Sequence, residues 1–374
     1  MKIAILKELR PGETRVAATP ETVKKLVALG HSLTIESGAG VSAGFMDEAY
    51  KTEGATIATS AGATTKDADV VFKVRGPQAS EIKDLPKGCA VIALMNPTDM
   101  GEDLAAINGQ DITAMAMEFT PRITRAQSMD ALSSQSNLSG YRAVIEASQI
   151  YGRALPMMMT AAGTIAPAKV FIMGVGVAGL QAIATARRLG GVVTATDVRP
   201  AAKEQVASLG AKFIAVEDEE FKAAETAGGY AKQMSPEYQA KQAELTASHI
   251  LKQDIVITTA LIPGRAAPVL VTEDMVKTMR PGSVILDMAV SAGGNCPLSK
   301  PDEVVDVNGV KVAGFANLPA RLPADASALF SKNLLSFLPL ITAEDGSLNL
   351  DTDDEIVTAM LLTRGGKTVN ERVG

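Results

Sequence analysis

The chain of 374 residues contains no tryptophan, two cysteines, two histidines and only 4% aromatic residues. Cys89 and Cys296 stand in separate segments, without a Cys-x-x-Cys spacing and without a cysteine–histidine cluster. That argues against a disulfide framework and a zinc site, and both thiols fit a reducing cytoplasm. No basic run interleaved with aromatics is present, and the formal net charge is −6, so neither nucleic acid nor an acidic membrane surface is an expected partner. Long apolar runs are missing too. The longest, Val170 to Ala186, is broken by glycines and is shorter than a bilayer requires. The opening Met1-Lys2-Ile3-Ala4-Ile5 reads as a strand and lacks a signal-peptide layout. What remains is 47% apolar and 21% charged, the balance of a folded chain long enough for two domains.

The most informative stretch that is present runs from Lys169 to Asp197. Val170 to Met173 is a short β-branched apolar run, followed by Gly174-x-Gly176-x-x-Gly179. Gly174 permits a tight turn, Gly176 lets backbone N–H groups approach a pyrophosphate, and Gly179 lets the next helix sit close to the sheet. That helix, read from about Ala178 to Leu189, directs its partial positive charge at the phosphates. Gly190-Gly191 ends it, Val192 to Thr196 forms the next strand, and Asp197 at its carboxyl end can accept hydrogen bonds from a ribose. The pattern predicts a dinucleotide site. The charge of Asp197 favours NAD over NADP, although Arg199 close by could pair with a 2′-phosphate.

Strands and helices alternate along the rest of the chain, which predicts an α/β fold with parallel sheets. Strands are expected at Lys2–Leu6, Ser32–Glu36, Asp69–Val74, Ala90–Leu94 and Ile112–Met117, with helices near Thr19–Leu29, Asp47–Thr52 and Gly101–Ile107. Ala131 to Leu155 has helical spacing and reads as a long connecting helix. Past Asp197, strands are expected at Lys212–Val216, Asp254–Thr259, Ser283–Ala289 and Val310–Gly314. The insert Glu217–Leu251 is long enough to be a lid or to carry helices. After Asn317 the pattern becomes helical at Ala326–Leu338, and the tail is expected to return to the first domain. The division predicted is residues 1–135 plus 318–374 for one discontinuous domain and 136–317 for the other.

Scarce histidine bears on chemistry. Dehydrogenation of a hydroxyl or amino acid needs a group to move a proton, most often histidine. His31 follows a helix stop and His249 precedes a strand, neither beside an acid or nucleophile, so both read as structural. Hydride passing between two nicotinamide rings needs no such group; the protein has only to align the rings and exclude water. The segment Thr120–Asn137 suits that task, with Arg122, Gln127, Asp130 and Ser133 as fork donor, amide, acceptor and hydroxyl. A polar loop capping the following helix through Asp130 accounts for the same residues equally well.

Several motifs in order, Pro121-Arg-Ile-Thr-Arg-Ala-Gln-Ser-Met-Asp-Ala-Leu-Ser-Ser, Gly140-Tyr-Arg-Ala, Thr160-Ala-Ala-Gly, Gly174-Val-Gly-Val-Ala-Gly-Leu, Lys203-Glu-Gln-Val, Gly228-Gly-Tyr-Ala-Lys, Thr258-Thr-Ala-Leu-Ile-Pro-Gly and Gly293-Gly-Asn-Cys-Pro, resemble the NAD(H)-binding α subunit, or domain I, of bacterial proton-translocating NAD(P)+ transhydrogenase. The resemblance runs from Lys2 to about Leu338. It implies two Rossmann-like domains with NAD(H) in the cleft between them, a homodimer, and a peripheral position on the cytoplasmic face of the bacterial inner membrane. It implies partners as well: a membrane-spanning subunit and a subunit that binds NADP(H). By resemblance, Arg122, Asp130 and Ser133 hold the nicotinamide end and Gln127 reaches toward the partner's NADP(H). Gly174, Val175, Gly176, Val177, Gly179, Asp197, Val198 and Arg199 hold the pyrophosphate and ribose, Gly229 and Leu261 line the site, and Tyr230 closes over the nucleotide. No metal is implied.

Alanine dehydrogenase shares this fold and is the alternative. Arg15 and Lys73 stand where its substrate carboxylate ligands are expected. Its catalytic histidine should follow the Ala90 strand, yet this chain reads Leu94-Met-Asn-Pro-Thr98 there. Arg15 and Lys73 are therefore read as inherited structural or electrostatic residues.

Overall fold

The computed structural model describes residues 1–224, 234–262, 264–351 and 353–373, and divides into two compact units. One comprises Met1–Gln135 with Pro319–Gly374, the other Ser136–Leu318.

In the first unit a six-stranded parallel sheet runs in the order Thr56–Ala58, Ser32–Glu36, Lys2–Ile5, Val70–Arg75, Ala90–Leu94, Thr113–Ala116. The Val70–Arg75 and Ala90–Leu94 strands are buried almost throughout, as parallel strands covered on both faces must be. Helix Pro20–Ala28 starts at the Thr19 cap, with proline in its first turn, and turns Val23 and Leu26 into the core. From the far end of the chain, Phe330, Leu334, Phe337, Ile356 and Val357 join Ile3, Ile5 and Phe72 in one apolar cluster. The Thr363 hydroxyl accepts from the Ala114 N–H, and the Ser327 hydroxyl from the Val16 N–H.

The second unit repeats the order: Lys212–Phe213, Val192–Thr196, Lys169–Met173, Ile255–Thr258, Val284–Asp287, Val310–Gly314, with Glu303–Val307 antiparallel at the edge. Among the described residues the insert carries helices Glu219–Lys222 and Pro236–Ile250, so its polar character belongs to solvated helix faces. The connecting helix covers Ala131–Tyr151, shorter than its apolar spacing predicts because Gly152 ends it. Elements that the sequence pattern does not anticipate include the edge strands Thr56–Ala58 and Glu303–Val307 and a hairpin of Met158–Thr160 with Gly163–Ile165. Cys89 and Cys296 are free and buried, and burial pushes the Cys89 thiol up to about 12. Among the described residues no helix is long and apolar enough to cross a membrane.

Candidate functional site

The glycine turn lies at the carboxyl end of Lys169–Met173, an interior strand of its sheet and the point where strand order reverses. Ligands of open α/β sheets bind at such points. Gly174 has φ +101°, its N–H donates to the Thr196 carbonyl at 2.9 Å, and its own carbonyl accepts from the Thr259 hydroxyl at 3.0 Å. A Cβ on Gly179 would lie 1.9 Å from the Gly174 carbonyl oxygen, whereas one on Gly176 would meet nothing within 4 Å among the described residues. Gly176 caps helix Val177–Arg188 without a side-chain hydrogen bond. A helix N-terminus without a side-chain cap, approached past a glycine, suits a pyrophosphate.

Asp197 sits directly after the next strand. Its Oδ1 accepts from the Arg199 N–H and Nε, both at 2.9 Å, and its Oδ2 from the Val175 N–H at 2.7 Å and Arg199 Nη2 at 3.1 Å. Those four bonds fill the acceptor capacity of a carboxylate. A ribose hydroxyl reaching Asp197 must displace a guanidinium N–H, and Arg199 is neutralised where a 2′-phosphate would need it. Val198 and Leu261 are exposed, Leu261 on the loop after Ile255–Thr258.

Three residues without an assigned role build that loop. Asn295, fully buried, accepts from the Ala260 N–H and donates to the carbonyls of Ala260 and Pro268. Asp287, also fully buried, accepts from the Ala289 and Cys296 N–H groups and from the Thr258 and Ser299 hydroxyls. Thr259 ties the loop to the glycine turn. The available signal was an acid ending an apolar strand, followed by Gly293-Gly294-Asn295, whose two glycines both have positive φ.

Arg122, Gln127, Asp130 and Ser133 lie in the other unit, together on one loop and the helix turn that follows it. A 3-10 helix, Thr124–Met129, buries Ala126 and Met129 and leaves Arg122 and Gln127 exposed. Asp130 accepts from the Ser133 N–H at 2.8 Å and from the Ser133 hydroxyl, so it caps the long helix. Gly229 and Tyr230 lie outside the described residues.

Arg15 and Lys73 are buried and engaged by the chain's own carboxylates. The Arg15 fork meets Glu13 through Nε and Nη2, each at 2.7 Å, and Nη1 donates to Gln135. Lys73 Nζ is 2.8 Å from Glu81 and 3.7 Å from Glu8. The histidines are structural: His31 is buried, and His249 contacts the Thr194 hydroxyl at 2.9 Å and packs edge-on against Phe171. Burial, then nearby positive groups, depresses the pKa of both. Neither ring has a carboxylate partner among the described residues.

Two sheets of this strand order, one with a glycine turn closed by an acid, define a two-unit, dinucleotide-dependent α/β enzyme. The family models for the N-terminal and C-terminal domains of alanine dehydrogenase/PNT match residues 4–139 and 143–371. The chain belongs to that family and, within it, to the transhydrogenase α subunits, which are oxidoreductases with NAD(H)-binding domains. It is 55% identical over 376 residues to the first part of the NAD(P) transhydrogenase subunit alpha of Rhodospirillum rubrum, covering 99% of this chain and 98% of that one. A crystal structure of transhydrogenase from Sinorhizobium meliloti superposes with a TM-score of 0.91 at 54% identity, covering 99% of this chain and 100% of that one. L-alanine dehydrogenase superposes with a TM-score of 0.84 at 25% identity, covering 100% and 98%.

Proposed function

We propose that this chain binds NADH at the Gly174–Asp197 site and passes its hydride to NADP+ held by a partner subunit, in a complex that couples the transfer to proton movement across a membrane. The observation that carries the reading is a complete dinucleotide turn in a chain whose two histidines, one buried and one half-buried, contact no carboxylate among the described residues. The nicotinamide rings supply hydride donor and acceptor, so the protein needs no proton shuttle. Gly174, Val175, Gly176, Val177 and Gly179 receive the pyrophosphate, Asp197, Val198 and Arg199 the adenosine ribose, and Leu261, Gly229 and Tyr230 enclose the nucleotide. Arg122, Asp130 and Ser133 orient the carboxamide, and Gln127 reaches toward the second nicotinamide. Alanine-type dehydrogenation fits less well, since Arg15 and Lys73 already hold Glu13, Glu8 and Glu81.

Purified chain mixed with the NADP(H)-binding subunit and NADP+ is expected to oxidise NADH in a single turnover; no transfer in the reconstituted complex sinks the reading. Asp197→Asn should weaken NADH binding by about tenfold or more, the loss expected for a charged hydrogen bond. Gln127→Asn should leave the dissociation constant nearly unchanged and slow transfer by up to about 100-fold, the effect of a small misplacement of reacting groups. The reverse pattern means that the two roles are exchanged.

With a membrane-spanning partner, the chain sits peripherally on the cytoplasmic face, and a second copy completes a homodimer. Supporting the dimer, Met158, Met159 and Ile165 are exposed together on the hairpin, 45–76% for Met158 and Met159, with Met157 exposed just before it. Exposed apolar groups gathered in this way mark a contact surface. Sedimentation of Met159→Asp should show a shift toward monomer; an unchanged dimer removes the hairpin from the interface.

A further inference from the structure

The loop that carries Gln127 is held from below by residues of the C-terminal segment, and we infer that Asn333 is a positioning residue for hydride transfer, with the Arg125–Asp354 pair as its second tether. This inference rests on the transhydrogenase reading proposed above. Asn333 lies on helix Pro323–Phe337 and is 7% exposed. Its Nδ2 donates to the Ser128 carbonyl at 2.8 Å, on the residue after Gln127. Its Oδ1 accepts from the Ser134 hydroxyl at 2.8 Å, on the residue after Ser133. One planar amide therefore fixes the spacing between the Gln127 loop and the helix turn carrying Asp130 and Ser133. Because the two arms of an amide have a fixed geometry, neither segment can shift without breaking a buried hydrogen bond.

The second tether acts on the same 3-10 helix. Arg125 Nη1 and Nη2 donate to the two oxygens of Asp354 at 2.7 and 3.3 Å, and Glu355 lies 3.7 Å from Nη2. Asp354 is itself fixed, since it caps helix Glu355–Met360 by accepting from the Ile356 and Val357 N–H groups. The Arg125 guanidinium beside it holds the Asp354 carboxyl below the usual range, so the pair stays charged at neutral pH. Between the two tethers, Ala126 and Met129 enter the core beside Phe330, Leu334 and Val357. Gln127 thus projects from a loop pinned at three points, the arrangement a group needs when it must meet a reactant to within a fraction of an ångström.

The test uses the reconstituted complex with its partner subunit and NADP+. Asn333→Ser and Arg125→Ala should each slow single-turnover transfer from NADH, the former by about tenfold or more, with the NADH dissociation constant within about twofold of wild type. Arg125→Lys retains the charge opposite Asp354 and should recover most of the rate. Arg125 is half exposed, so its removal leaves the fold intact even where Asn333→Ser lowers the melting temperature. Wild-type transfer in folded Asn333→Ser, a parallel loss of NADH affinity, or an Arg125→Lys rate no better than Arg125→Ala overturns the inference. A wild-type complex that transfers no hydride overturns the proposed function, and this inference with it.

Discussion

Lys73→Met is expected to destabilise the first unit by about 3–5 kcal/mol, the range for removing one partner of a buried ion pair. The Lys73 side chain is 1% exposed, and it faces Glu81 at 2.8 Å, Glu8 at 3.7 Å and the Lys7 carbonyl at 3.4 Å. Without the ammonium, two carboxylates are left buried with backbone donors only, from Val74 to Glu8 and from Gln78 to Glu81. Burial already pushes the Glu8 carboxyl up to about 7, against the lowering effect of Lys73. A carboxyl raised in the folded state favours folding while it is protonated, so its contribution is full below about pH 4.5 and is lost as pH rises through about 7. Lys73→Met should raise the Glu8 carboxyl further and carry that loss to higher pH. Chemical denaturation at pH 5, 7 and 9 measures it, and Glu8→Gln with Glu81→Gln should restore much of the stability. A single variant as stable as wild type at pH 9 refutes the account.

Gly179→Ala should abolish detectable NADH binding and cost about 1–3 kcal/mol of stability, the range for overpacking a filled site. Its Cβ would meet Gly174 O at 1.9 Å and Gly174 C at 2.9 Å, both backbone atoms that no rotamer change can move. Relief requires shifting the turn or the helix, and the first-turn N–H groups move with either. Gly176→Ala separates ligand space from protein space. No described residue meets its Cβ, so the fold should melt as wild type, and a loss of nucleotide affinity is expected from a collision with the nucleotide itself. Fluorescence titration with NADH reads both variants. Equal binding by Gly176→Ala and wild type places the pyrophosphate elsewhere.

The strands that carry the site were legible because burial on both faces demands unbroken apolar runs; Val310–Gly314 falls where the sequence puts it, and Ile255–Thr258 differs by one residue at each end. Helix Val177–Arg188 begins one residue before its expected start, since Gly176 rather than Val177 is the cap. Edge elements were not legible. Thr56–Ala58 and Glu303–Val307 pair on one side only, and half-exposed strands need no apolar pattern. The hairpin of Met158–Thr160 and Gly163–Ile165 was hidden for the same reason, being exposed on every residue. In the site, glycine and acid could be read because the turn dictates residue type. Asn333 could not, because it acts through the backbone of Ser128, remote in sequence, and Asn295 and Asp287 carried only the signal of an acid ending an apolar strand and a Gly-Gly-Asn turn. Nor does sequence reveal that Arg199 already covers Asp197.

The discontinuity of the first unit sets an order of events on the ribosome. Lys2–Ile5 is among the first segments to emerge, yet the side chains that seal its apolar face, Phe330, Phe337 and Ile356 among them, follow the whole of Ser136–Leu318. The later-encoded unit has a core of its own, from Val144 and Ile172 to Leu286 and Leu318, and can close while the earlier sheet still lacks its covering helix. Synthesis therefore leaves the amino-terminal sheet waiting with apolar surface exposed, and a ribosome stalled before Pro323 releases a chain whose nucleotide turn is built but whose first sheet is uncovered.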